Sequence, residues 1–301
     1  MRIVHITHTP TAGAPHNFVN LINKYTKNEA YLFIEKDLVF NFYVEPKFRI
    51  DKNRKKDIIP ILKKTDIIHF HGHKNFDLRK FLGYNIRPYM KKVVLHYHGV
   101  PHIGQGKRFF RNVPMLVCIP DMLLDFPKAL FFPNIIDDNN LQLYCKKKEW
   151  NEPLKFAQHF TFHKVIKQQD LFINTAKFFN KNSFTIIPSL NHKEALQERL
   201  KYDIIFDHIR GHYGIISLEC LLQGIPVINF TSKIVEQHLI KFFGYMPPFI
   251  NVENKDLKKT IQTIIDNKDI LKSIAETGQY FVKKYWGHEN IHRLIKYYEL
   301  L

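Results

Sequence analysis

The chain has 301 residues, 45% of them hydrophobic, which suits two packed domains and excludes an intrinsically disordered protein. Its formal net charge of +17 is uneven: residues 1–150 hold 25 Lys+Arg against 13 Asp+Glu, whereas residues 151–301 hold 20 against 15. The first half is therefore the part that attracts a phosphate-rich partner, either an anionic lipid surface or nucleic acid, and the run Lys52–Lys64 reads as its solvated basic helix or loop.

Cys118, Cys145 and Cys220 are odd in number and widely spaced, which argues against a disulfide framework and for a reducing compartment. The start, MRIVHITHTP, is too polar for a signal peptide. Residues 114–136 are the most apolar region, yet Asp121, Asp125 and Lys128 interrupt it, so it is not read as a spanning helix. The expectation is a soluble cytoplasmic protein, with a peripheral seat on the inner membrane face as the alternative.

In chain order, residues 2–7 predict a first strand. The small-residue loop 9–15 follows, and then a helix carrying Phe18, Val19, Leu21 and Ile22 at helical spacing, with Pro15 in its first turn. Residues 31–34 and 39–44 are further strand candidates. Residues 66–73 (DIIHFHGH) and 92–99 (KVVLHYHG) read as buried strands that end in histidine and glycine. A strand and helix follow over 115–124, then the segment LFFPNIID at 130–137, and a polar, charged boundary over 140–153.

A second alternation of strand and helix starts at Leu154. It takes in KQQDLFI at 167–173, a strand at 184–188 and a helix at 192–200. The most informative stretch is YDIIFDHIRGHYGIISLECLLQGIPVINF at 202–230, which reads strand, glycine turn, short helix, strand. A helix that opens past a strand's carboxyl end aims free N–H groups at the ligand crevice, and Gly211 and Gly214 would let an anion approach closely. Amphipathic helices are predicted over 256–265 and 269–281, and a last helix over 285–298.

The segment GIISLECLLQGIPVI at 214–228 resembles the nucleotide-sugar signature of retaining, GT4-like glycosyltransferases of the GT-B fold. The resemblance implies an α/β chain of two Rossmann-like, doubly wound domains facing a cleft. Residues 1–150 would form the acceptor-side domain and 151–285 the nucleotide-sugar domain, with 286–301 packing back on the first. It implies that Glu219 holds the donor ribose and that the turn at Gly211, Tyr213, Gly214 and Ile215 lies against the diphosphate and sugar. Lys167 would neutralise the departing diphosphate, with Lys164 or Arg210 in support, because the family's arginine before that lysine is missing here. His98 with Gly99 resembles the His-Gly pair beside the sugar, and Gly13 with Ala14 the loop after strand one. Asn134 and Asp137 match a segment read as linker geometry. The family's upstream glutamate is replaced by Gly211, which leaves the sugar-reading end open. Read without the resemblance, Glu219 would only complement the dipole of a helix start.

The resemblance implies transfer of a sugar from a nucleotide diphosphate sugar to a hydroxyl acceptor, with the anomeric configuration kept and no metal or other cofactor. The first-named acceptor is a cell-envelope glycan or lipid-linked sugar at an anionic membrane; the second is DNA carrying a hydroxylated base. Two readings from other classes stand beside these. His69, His71 and His73 alternate onto one face of a strand and could hold zinc in a hydrolase, with Asp66 or His102 as a further ligand. Departures from the family pattern would also suit a binding protein that has lost catalysis.

Overall fold

The computed structural model describes every residue except 10–12, 37–41, 73–78, 99–112, 125, 142–144, 146–148, 151–152, 160–168, 180–181 and 208–212. Contacts divide the chain into two units, Met1–Asp137 with His288–Leu301, and Asp138–Gly287. Among the described residues no helix is long and apolar enough to cross a membrane.

The first unit is built on a parallel sheet of order β3-β2-β1-β4-β7-β8-β9. Its inner strands are β1 (Arg2–Thr7), β2 (Glu29–Ile34), β4 (Ile67–Gly72) and β7 (Val93–Tyr97). The remaining strands are β3 (Arg49–Ile50), β8 (Met115–Val117) and β9 (Leu130–Phe131), and β5 (Lys80–Phe81) and β6 (Tyr84–Asn85) form a separate hairpin. The chain starts at β1, moves out to β3, then crosses back to β4, so the strand order reverses between β1 and β4. In such sheets ligands bind outside the carboxyl ends of the strands at that reversal.

Residues alternate faces along each strand. One face carries Ile3, Ile67 and Val94 under the helix Ala14–Tyr25 and the final helix Ile291–Glu299. The other carries Val4, Ile6, Ile68 and Phe70. The final helix buries Ile291, Leu294 and Tyr298 in this unit, an apolar burial worth on the order of 5–8 kcal/mol as an upper estimate, which is why the chain's end belongs here.

The second unit has a parallel sheet of order β11-β10-β12-β13-β14, from β10 (Lys155–His159), β11 (Ser183–Ile187), β12 (Ile204–Phe206), β13 (Val227–Asn229) and β14 (Ile250–Asn251). Its reversal falls between β10 and β12. The helices Gln169–Ala176, His192–Arg199, Ile215–Leu222 and Lys233–Phe243 alternate with the strands.

Several expectations need correction. Residues 42–44 form no strand; the third strand is Arg49–Ile50, paired with Leu32 and Phe33, while Val44 packs into the core. The expected single helix over 285–298 is broken. The helix Asp269–Trp286 ends at Gly287, where an added Cβ would lie 2.3 Å from the Lys283 carbonyl, and the final helix begins at Ile291. The units divide at Asp137, ahead of the polar stretch read as the boundary, because the helix Asp138–Leu141 packs with the second unit.

Candidate functional site

In the second unit the strands either side of the reversal end at His159 and at Phe206, followed by Asp207. The helix Ile215–Leu222 opens there. Its Gly214 N-cap offers no side chain, so the first-turn donors need a partner from elsewhere. Asp207 supplies it: one carboxylate oxygen accepts from Gly214 N–H and Ser217 N–H at 3.2 Å each and from the Ser217 hydroxyl at 2.5 Å. A negative charge at a helix start also complements the dipole. An anion arriving here would therefore meet the remaining first-turn amides, those of Ile215 and Ile216.

Glu219 lies on the helix's second turn, beyond the start, so complementing the dipole is not its role. Its carboxylate is held at both oxygens: His192 Nε2 lies 2.7 Å from Oε1 and Arg199 Nη1 lies 2.6 Å from Oε2. Arg199 Nε also donates to His159 Nε2 at 2.7 Å, which ties the end of β10 to the same cluster. Burial would raise the Glu219 pKa, but the neighbouring His192 and Arg199 outweigh it and hold the carboxyl at about 2, down from 4.5. The group is a carboxylate at every physiological pH.

Glu219 and Arg199 side chains are each 3% exposed, whereas His192 is 27% exposed. Glu219 itself is buried, and His192, the partner of Oε1, is the exposed member of the cluster. A carboxylate has about four lone-pair sites, so a vicinal diol can share it with Arg199.

The other sequence-predicted residues fall as follows. Tyr213 is buried against Phe249 and Trp286, at 5.7 and 6.1 Å between ring centroids, so its ring belongs to the core. Gly214 and Ile215 are half-buried at the helix start. Lys164, Lys167, Arg210 and Gly211 lie outside the described residues, as do Gly99, His73 and His102.

In the first unit Gly13 is the N-cap of the helix Ala14–Tyr25 with φ +78°, and a Cβ there would come within 2.5 Å of the Phe42 ring. Glycine is required by both conformation and space. Ala14 is fully buried. His98, at the end of β7, is half-buried and uses both ring nitrogens: Nδ1 lies 2.6 Å from Asn134 Oδ1 and Nε2 lies 2.7 Å from His71 Nδ1. Asn134 is therefore a partner of the predicted site and more than linker geometry. The registers His5 with His69 and His71 with His96 place four buried imidazoles behind His98, on the face covered by Phe18 and Tyr298. His69 and His71 do share a face, but Asp66 sits at the amino end of β4, bonded to the Arg2 amide, and cannot join them as a ligand.

Arg199, His192, His159 and Asp207 escaped the sequence reading. Only Asp207 carried a signal, as an acid directly after a buried strand with a helix start downstream. Arg199 carried none, being one polar residue among several late in a helix.

No family model matches the chain, and no curated protein matches it in sequence. Solved structures do. A glycosyltransferase from Rickettsia africae ESF-5 is 14% identical, with 99% of this chain and 97% of that chain covered at a TM-score of 0.68. An alpha-glucosyltransferase in complex with UDP and a 13-mer DNA containing an HMU base is 11% identical, with 99% of each chain covered at 0.68. Anabaena Alr3699/HepE in complex with UDP and glucose is 14% identical, with 98% of each chain covered at 0.65. At these identities the likeness establishes the fold: the chain has the GT-B fold, two Rossmann-like α/β units in one polypeptide.

Proposed function

From the GT-B fold and the Glu219 cluster, we propose that the protein is a glycosyltransferase that moves a sugar from a nucleotide diphosphate sugar to a hydroxyl acceptor with retention of configuration. One observation carries the reading: an ionised carboxylate, Glu219, sits on the helix that opens at the strand reversal of the second unit, with Oε1 held by His192, the exposed member of its cluster. The ribose hydroxyls take that oxygen. The Ile215 and Ile216 amides, with Lys167 and Lys164 or Arg210 by the family resemblance, stabilise the diphosphate as it leaves. Catalysis is then orientation together with charge stabilisation on the leaving group, and diphosphate departure requires no metal. His98 and Gly13 stand on the sugar and acceptor side.

The acceptor we favour is a cell-envelope glycan or lipid-linked sugar, reached from the cytoplasm at an anionic membrane. The basic first half supports an acidic acceptor, and Lys52, Lys55, Lys56 and Lys63 are exposed. DNA with a hydroxylated base is the second reading, favoured by the likeness to the alpha-glucosyltransferase bound to DNA. Incubating the protein with a panel of nucleotide sugars and following donor hydrolysis tests the activity; no turnover of any donor would reject it. Salt titration of binding to duplex DNA and to anionic vesicles separates the acceptors, since only the true partner holds at physiological salt.

A further inference from the structure

Five histidines meet on one face of the first unit's sheet: His5 from β1, His69 and His71 from β4, His96 and His98 from β7. His5, His69 and His96 are 0% exposed and His71 is 2% exposed. Such a set is costly to bury unless each nitrogen finds a partner. Among the described residues His96 Nδ1, His5 Nε2 and His69 Nε2 have none. Each orphan costs about 1–3 kcal/mol, and the His96 ring, 4.1 Å from His98 and 6.0 Å from His71 between centroids, is the one whose Nδ1 an occupant shared with those two would satisfy.

We propose that His71, His96 and His98 bind one late first-row transition-metal ion, of the zinc or copper type. One ligand nitrogen from each lies within 4.8 Å of the others. The far nitrogens are already anchored in the manner of metal-bound imidazoles, which donate their second N–H to a carbonyl or similar acceptor. His96 Nε2 donates to the Phe132 carbonyl at 3.0 Å, which fixes its proton and turns the Nδ1 lone pair inward. His98 Nδ1 donates to Asn134 Oδ1, which leaves its Nε2 lone pair facing His71.

Donor chemistry sets the class of ion. Three neutral imidazoles with no carboxylate among them disfavour magnesium and calcium and suit zinc or copper. His98 is the half-buried member, and its side is the route of entry and the open position.

Without an ion the pair His71 Nδ1 and His98 Nε2 stands 2.7 Å apart, bridged by one proton. Tetrahedral zinc with Zn–N near 2.0–2.1 Å separates its ligands by roughly 3.3 Å, so loading opens this pair by about 0.6 Å. The bridging proton passes to His71 Nε2, and the proton that His5 Nδ1 gives to that nitrogen at 2.8 Å shifts to His5 Nε2. No net proton is released.

This site goes beyond the glycosyl-transfer reading, and its readout is metal content, independent of nucleotide binding. The full chain, stripped with a chelator and titrated with zinc chloride, is expected to hold about one equivalent by mass spectrometry, and the cobalt-loaded chain to show four-coordinate visible absorption. His96→Leu should abolish the ion. Asn134→Ala, which removes only an anchor, should weaken zinc binding roughly 10–100-fold. A variant with His238 and His292, which lie outside the cluster, replaced by alanine should keep it. Less than about a tenth of an equivalent on the native chain, or full retention in a folded His96→Leu protein, would overturn the proposal. Should His96→Leu not fold, unchanged affinity in Asn134→Ala would do the same.

Discussion

Arg199 Nη1 stands 2.6 Å from Glu219 Oε2, with both side chains 3% exposed, and this buried pair joins the helix before β12 to the helix after it. Breaking a buried pair leaves the other charge uncompensated, which costs about 3–5 kcal/mol. Arg199→Ala should therefore lower stability by that amount in chemical denaturation. Lys201→Ala, which removes an exposed partner of Glu198, should leave it nearly unchanged.

Glu219, held by His192 and by Arg199, gives the second unit an acid limit. The folded pKa of Glu219, about 2, lies below the ordinary 4.5, so the stabilisation is complete above 4.5 and disappears as pH falls from there toward 2. The depression corresponds to roughly 3 kcal/mol. Denaturation of the native chain and of Glu219→Gln at pH 7, 4.5 and 3 should show the difference between them shrinking through that window. A constant difference would place the stabilisation elsewhere.

Nucleotide binding should depend on the two oxygens of Glu219 unequally. Glu219→Ala is expected to weaken UDP or GDP binding by at least tenfold, the scale of a lost hydrogen bond to a charged group. His192→Ala uncovers Oε1 and should leave affinity unchanged or tighter. Isothermal titration with both diphosphates reads this. Equal loss in the two variants would mean that His192 is itself a ligand.

Gly13 offers a backbone test in the first unit. Gly13→Ala combines a left-handed φ with a Cβ 2.5 Å from Phe42, so a loss of about 1–3 kcal/mol is expected. Phe42→Leu in the same chain removes the crowding but not the strain. It should restore only part of the loss in thermal unfolding, and full restoration would assign the whole cost to the ring.

The alternation of apolar runs with helical patterns was enough to read two α/β units, the strands at residues 2–7 and 204–206, and the helix that carries Glu219, because these follow from local periodicity and glycine punctuation. The short third strand was not legible. Arg49–Ile50 is a strand only because Leu32 and Phe33 lie beside it. Nor could the pattern show that Tyr213 turns into the core or that Asp207 occupies the helix start: both depend on which strands are neighbours.

By itself the sequence determined that a carboxylate would ride on a short helix behind a glycine turn, and that histidines would line one face of two strands. Tertiary structure alone decided what those groups meet. Strand order brought His159 and Asp207 to one reversal, and register set His71 beside His96. Helix packing delivered Arg199 and His192 to Glu219. Such pairings join residues far apart in the chain, and their energies come from burial and shared charge, which local residue spacing does not encode.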